Sequence, residues 1–264
     1  AMTSSFHGRT IGALSVGSNK KYKSNIGPVP GKVKFCKFND VSHLKKLVNK
    51  KTVAIIIEFV QGDGGINICS KNFAKAIKGI CKNKKILLIG DEIQGGIGRT
   101  GKIFAYKHYG VNPDIITSAK GLGSGIPIGA TIVKKYISKI ISTGFHGSTF
   151  GGGMLQTRVS YNVFRTINNK SFLNKVLING NLLSSLIKKM HLLHKDKIVD
   201  TRCLGLMAGV EFKNNQIALK TYEKMSKNGL ISTLIQGNII RLTPPLIVSS
   251  GEIRKAIKII TQSL

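Results

Sequence analysis

Acidic side chains are scarce in this sequence of 264 residues: 11 Asp and Glu stand against 41 Lys and Arg, a formal charge of +30. An excess of that size raises nucleic acid or an anionic membrane as a partner. The distribution argues against both. The chain carries 34 Lys but only 7 Arg, with 36 Ile and 18 Asn, and the enriched types share A/T-rich codons. Its lysines are scattered in ones and twos, without the basic stripe and interleaved aromatics of a nucleic-acid groove. Codon bias accounts for the charge, and specific nucleic-acid binding is not expected.

Long hydrophobic runs are missing too. The longest purely aliphatic stretch, Val53 to Ile57, is far below the roughly 18 residues of a membrane span. Cys36, Cys69, Cys81 and Cys203 form no CxxC pair and no spacing typical of a disulfide framework or a zinc site. They read as buried or incidental thiols in a reducing compartment. The opening AMTSSFHGRT has neither the basic and apolar regions of a secretory signal nor an Arg-rich amphipathic pattern, so a cytoplasmic location is expected. No repeat, low-complexity tract or Pro-rich linker divides the chain. What is there is 42% hydrophobic, enough for a sizeable core.

Short β-branched runs at 52–60, 85–92, 114–119 and 129–134 lack strict alternation, as strands covered on both faces do. They predict a buried, largely parallel sheet. Phe73, Ile77, Ile80 and Cys81 make one face of a crossover helix over 71–83, giving a βαβ unit. Beyond about residue 153 helical stripes take over: two long helices, short strands near 198–212 and 230–242 around a helix near 216–227, and a terminal helix. The expected fold class is α/β, with residues 1–155 in a larger part and 156–264 in a smaller one. A continuous helix near 155 should join them into one body.

Chemistry concentrates at strand ends. Lys120 follows the predicted strand 114–119 and precedes Gly121, Gly123 and Gly125. A lysine there, beside backbone that admits a close ligand, is placed to be desolvated and to act as a Schiff-base nucleophile; it could equally be one surface lysine of many. Asp91 and Glu92 close the apolar strand ILLIGDE. A carboxylate at the carboxyl end of a parallel strand sits where ligands of open α/β sheets bind, and its burial calls for a cationic partner. A protonated pyridine nitrogen would serve; so would a plain capping role. GIGRTGK, residues 96–102, satisfies GxxxxGK, but Ile103 stands where a P-loop needs Ser or Thr. His191 and His194 have no acidic or thiol ligand beside them, so no metal site is expected.

Six strings resemble the class III, fold-type I pyridoxal-phosphate-dependent aminotransferases: FHGRT (6–10), EFVQGDGG (58–65), GDEIQGGIGRTG (90–101), HYGVNPDIITSAKGLG (108–123), HGSTFGG (146–152) and IIRLTPPLIV (239–248). Their order and spacing cover essentially the whole chain. The resemblance implies a partial cofactor-binding large domain over 1–155, a small C-terminal domain over 156–264, and pyridoxal 5′-phosphate as cofactor. It makes Lys120 the imine lysine and proton shuttle, Asp91 the ring-nitrogen partner and Gln94 a contact to the ring hydroxyl. Phe6 would stack on the ring, Glu92 and Ile93 would line the cofactor, and Thr149 would reach the phosphate of a neighbouring subunit in a homodimer. Arg9, Ser148 and Arg241 would contact substrate, and Asp63 would pair with Arg241 and swing aside for a dicarboxylic substrate. No chemistry attaches to His7.

The implied reaction is reversible transfer of the ω-amino group of N2-acetylornithine to 2-oxoglutarate. Ornithine, succinyl-diaminopimelate and 4-aminobutyrate are alternative donors, since the assigned residues contact carboxylates all of them share. An inactive remnant that binds polyanions non-specifically is the rival of another class. Glu58-Phe59 replaces the usual Glu-Pro, Asp63 is one methylene shorter than the usual Glu, and GGGMLQT lacks the usual Asn-Pro. A weaker gate at Asp63 is expected. Relatives of this kind also carry an N-terminal portion with a phosphate loop, which this sequence is expected to lack.

Overall fold

The computed structural model describes all 264 residues. Short helices α1 (Ile11–Val16) and α2 (Val41–Leu47) precede strand β1 (Ala54–Ile57). Helix α3 (Lys71–Lys84) then leads to β4 (Leu87–Asp91), with the small hairpin β2 (Val60–Gln61) and β3 (Asn67–Ile68) between. Strands β5 (Ile115–Ser118) and β6 (Ala130–Val133) and the short α4 (Lys135–Ser138) complete the first half. The second half holds α5 (Met154–Ile167), α6 (Lys170–Leu193), β7 (Ile198–Leu204), β8 (Met207–Phe212), α7 (Asn215–Lys227), β9 (Thr233–Ile235), β10 (Ile239–Leu242) and α8 (Ser250–Ser263).

The first sheet has the order β1-β4-β5-β6. β1, β4 and β5 run parallel, with Asp91 in register with Thr117. β6 departs from the expected pattern because it is antiparallel to β5. Its run of β-branched residues looks like a covered strand, yet Thr131 and Ile132 are exposed; aliphatic composition alone does not distinguish strand direction. The strand expected over 52–60 ends at Ile57, where Glu58 turns the chain into the β2–β3 hairpin.

Helix α3 forms where expected. The Ser70 side chain accepts from the Phe73 amide at its start, Lys85 closes it in the left-handed region, and Phe73, Ala74, Ile77 and Cys81 are buried. Together with Ile55, Ile57 and Leu88 they form the core beneath the parallel strands. Burial pushes the Cys36 thiol up to about 11 and those of Cys69, Cys81 and Cys203 to about 12, so these thiols are poor nucleophiles.

The second sheet, β7-β8-β10-β9, is antiparallel. It packs on α6, α7 and α8 through Val176, Leu183, Ile187, Val210, Phe212 and Ile257. Ser249 and Glu252 close a reciprocal capping box at the start of α8. Two contacts tie the halves. Ile97, Ile103 and Ile116 share a buried cluster with Ile167, against which Phe172, Leu173 and Leu246 pack. At Gly205, φ +57°, an added Cβ would lie 2.5 Å from the Thr100 carbonyl carbon, and one at Gly180 would lie 2.6 Å from Gly205. Only glycine allows that three-way backbone approach.

Candidate active site

The carboxyl ends of β4 and β5 gather most of the residues singled out in the sequence. Asp91 is the last residue of β4 and is 5% exposed. Its Oδ2 lies 2.6 Å from His7 Nδ1, and its Oδ1 accepts from the Ile93 amide at 3.0 Å. His7, also buried, was given no chemistry by its sequence position. Its adjacency to Phe6 in FHGRT was the one available signal, and a long-range pairing across 84 residues is invisible without the fold. His7 Nε2 is buried with no partner in the chain.

Lys120 stands two residues past β5 with φ +48°. This left-handed conformation costs a non-glycine residue on the order of 1 kcal/mol or more, and it turns the chain into the tight turn Lys120–Leu122. The residue is exposed, so the strand end is not as dry as the sequence suggests. Desolvation of the ammonium nevertheless lowers its pKa. Asp63, Asp91 and Glu58 oppose that lowering, and Arg241 adds to it. Asp63, Arg241, Asp91 and Glu58 are thus the ionisable neighbours that act on this amine.

Asp63 and Arg241 form the pair implied by the sequence. Arg241, on β10, donates from Nη1 to Asp63 Oδ1 at 2.7 Å and to Gln94 Oε1 at 3.3 Å. Gln94 Nε2 lies 3.4 Å from Asp63 Oδ2 as donor. Arg241 Nε is buried without an acceptor. The pairing uses one face of the guanidinium, whereas an incoming carboxylate can take two nitrogens in plane.

Glu58 and Glu92 are buried acids with different tasks. Glu58 accepts from the Phe6 amide at 3.0 Å and the Gly62 amide at 3.4 Å, joining the FHGRT segment to the loop that carries Asp63. Burial above all, and then the charges of Asp91 and Asp63, push its pKa up to about 8 against the two amide bonds. Glu92, expected beside the cofactor, is spent on main chain: its oxygens accept from Ala105 and Tyr106 at 2.7 and 2.9 Å. Burial pushes it up to about 7.

The remaining expected residues lie further out. Phe6 is half-buried and meets Tyr22 edge-on at 5.9 Å. Arg9 is exposed, its guanidinium 4.1 Å above the Tyr22 ring centre and 5.8 Å from that of Phe6. Ser148 and Thr149 lie on a fully exposed segment between β6 and α5, away from Lys120's cavity wall. That cavity, about 710 Å³, is lined by Lys120, Gln94, Ile93, Arg241 and Arg99 and by residues of α5.

The aminotransferase class III family model matches residues 1–264. Ornithine aminotransferase 1 of Staphylococcus saprophyticus is 39% identical over 266 residues, covering 100% of this chain and 66% of that protein. Acetylornithine aminotransferase of Methanocaldococcus jannaschii is 40% identical over 257 residues, covering 96% and 63%. Among solved structures, ornithine aminotransferase from Toxoplasma gondii superposes with a TM-score of 0.94 at 29% identity, over 99% of this chain and 63% of that one. The chain thus spans just under two thirds of the length of these relatives. With the family match running from end to end, this chain belongs to the class III aminotransferases, a family that uses pyridoxal phosphate.

Proposed function

We propose that this chain carries an aminotransferase site for pyridoxal phosphate, and that it moves the ω-amino group of N2-acetylornithine to 2-oxoglutarate. The observation that carries the reading is the convergence on Lys120 of two built pairs, Asp91 with His7 and Asp63 with Arg241. The residues fit the cofactor. A buried acid braced by a histidine suits a ring nitrogen, and Thr117, in register with Asp91 on the neighbouring strand, has a buried Oγ1 without a partner.

When bound, pyridoxal phosphate supplies an electron sink beside the carbon that bears the substrate's amine. Asp91 would face the ring nitrogen, with His7 fixing the orientation of its carboxylate. Lys120 has a lowered pKa, so its Nζ is free of its proton at lower pH than an ordinary lysine. That nitrogen takes the proton from the substrate carbon and returns it. Gln94, on the loop between β4 and Lys120, would meet the ring hydroxyl and Phe6 would cover the ring; Ile93 supplies wall and Glu92 holds the loop through the amides of Ala105 and Tyr106. Arg9 takes the donor's carboxylate, and Arg241 takes that of the oxo acid once Asp63 moves aside.

Residues 1–155 form the cofactor-binding part and 156–264 the small domain that brings Arg241. A homodimer belongs to the proposal. Ser148 and Thr149 lie between Phe145 and Phe150, 74% and 84% exposed, and such a segment suits a partner's site, with Thr149 on the phosphate and Ser148 on substrate. Ornithine is the second reading of the donor, favoured by the relative named for it.

Titration with pyridoxal phosphate tests the core of this reading. A visible absorbance band distinct from that of the free cofactor should form with the chain and be lost in Lys120→Ala. A chain that gives no band, or a variant that keeps it, refutes the proposal. Transfer rates with N2-acetylornithine and ornithine then decide the donor.

A further inference from the structure

Strand register places two arginines on one rung of the second sheet. Gly209 of β8 is paired with Arg202 of β7 on one side and with Arg241 of β10 on the other. Residues paired directly across antiparallel strands share a face, so both side chains leave the sheet on the same side, their main chains roughly 10 Å apart at two strand spacings. The turn between β2 and β3, which carries Asp63, meets both of them. Arg241 takes the Asp63 carboxylate, whereas Arg202 Nη1 donates to the Gly65 carbonyl at 2.7 Å and to Asn67 Oδ1 at 2.9 Å. Gly209 leaves room for the turn between them, since an added Cβ there would lie 3.2 Å from Ile66 Cβ and 3.4 Å from the Gly65 oxygen.

Arg202 is built as an anchor. Asp200 holds its Nε at 2.7 Å and Glu211 pairs with its Nη2, so every nitrogen of the fork has an acceptor. The turn needs such an anchor: Ile66 is fully buried at φ +57°, and a β-branched residue keeps the left-handed conformation only where its surroundings impose it. Gln236, between β9 and β10, adds a second hold on main chain by donating to the Asp63 carbonyl at 2.6 Å. The Asp63 side chain, by contrast, meets only Arg241 and Gln94.

We propose that Arg202 is the positioning residue of the Asp63–Arg241 pair: it pins the main chain of the turn, so that Asp63 leaves Arg241 by rotation of its side chain alone. The pin rests on the geometry. Its use, to keep the gate from opening by movement of the whole loop, rests on the amino-transfer reading. A lysine in its place would keep the charge but lose the fork, with three donors on one nitrogen for four acceptors spread over two halves of the chain.

Hydrogen exchange of the full chain reads the pin without any reaction. In Arg202→Lys the peptide spanning β2, the turn and β3 should exchange about tenfold faster, while β8 and β10 change by less than about twofold. Gly209→Ala keeps Arg202 and both its acids but presses a methyl group against Ile66, so it should give the same local rise even where Arg202→Lys does not fold. Unchanged exchange in the hairpin of a folded variant, or a rise shared equally by β8 and β10, overturns the proposal. In single-turnover measurements, Arg202→Lys should shift the ratio of the two half-reaction rates in the same direction as Asp63→Ala and, combined with it, shift it no further; additive shifts overturn the proposal as well. A wild-type chain that transfers no amino group, with the hairpin loosened in the variants as expected, removes the amino-transfer reading and leaves the pin, whereas normal transfer with an unchanged hairpin does the reverse.

Discussion

Glu58→Gln should remove about one proton from the pH dependence of this chain's stability. Glu58 is 3% exposed, has two amides for partners and no cation, and its pKa rises from 4.5 to about 8. Between those values the folded chain holds a proton that the unfolded chain releases. The sign follows: the contribution is fully present below about pH 4.5 and is lost as pH rises through about 8. At about 1.4 kcal/mol per pKa unit, the rise corresponds to an upper limit on the order of 5 kcal/mol. Glutamine imitates the protonated acid and cannot ionise. Urea unfolding from about pH 5 to 8 should show wild-type stability falling at up to about 1.4 kcal/mol per pH unit for this proton. The variant's slope should be shallower by that amount, with a remnant from Glu92, whose pKa is about 7. The two curves should approach each other at low pH and diverge towards pH 8, with the variant the more stable. Parallel curves would mean that Glu58 is ionised in the folded chain and that the reasoning is wrong.

Asp63→Glu should lengthen the acid facing Arg241 and change the ratio of the two half-reaction rates, followed by single-turnover absorbance; an unchanged ratio refutes the weaker-gate expectation. His7→Phe strips Asp91 Oδ2 of its only side-chain partner, which should cost about 1–3 kcal/mol in urea unfolding and weaken cofactor affinity. In the Asp91→Asn background the same change should cost clearly less, and additive losses would show that the two side chains do not act as a pair. Gly205→Ala forces a Cβ within 2.5 Å of Thr100 main chain at φ +57° and should lose about 1–3 kcal/mol or fail to fold; a melting temperature equal to wild type would mean that the two halves do not meet as tightly as described.

The strand ends were legible because the features that mark them are local. The aliphatic runs at 85–92 and 114–119 each finish on a group that an apolar strand does not need, Asp91 and then Lys120. Parallel pairing in register, Asp91 against Thr117, carries those ends to the same edge. Partners far away in sequence were another matter. His7 reads as a neighbour of Phe6, and Glu92 as a second strand-end acid. Only the fold shows that the histidine braces Asp91 while Glu92 holds the amides of Ala105 and Tyr106. Arg99 looked like part of a failed P-loop, because its cavity is assembled from α5 and the segment after β10.

The charge imbalance gains meaning in the same light. Glu58, Asp63, Asp91 and Glu92 are four of the chain's 11 acids; the first three act on Lys120, and Glu92 is the chain neighbour of Asp91. Mutational drift toward lysine accounts for the scattered surface cations, but it does not place buried or half-buried carboxylates. Burying an acid is costly unless hydrogen bonds or a cation compensate it, and each of these four is held by named partners. Where acids are rarest, concentrating them at the carboxyl ends of two parallel strands marks the place where their charge is needed. The electrostatics thus point to the same edge of the sheet as the family motifs do, since those motifs carry all four acids.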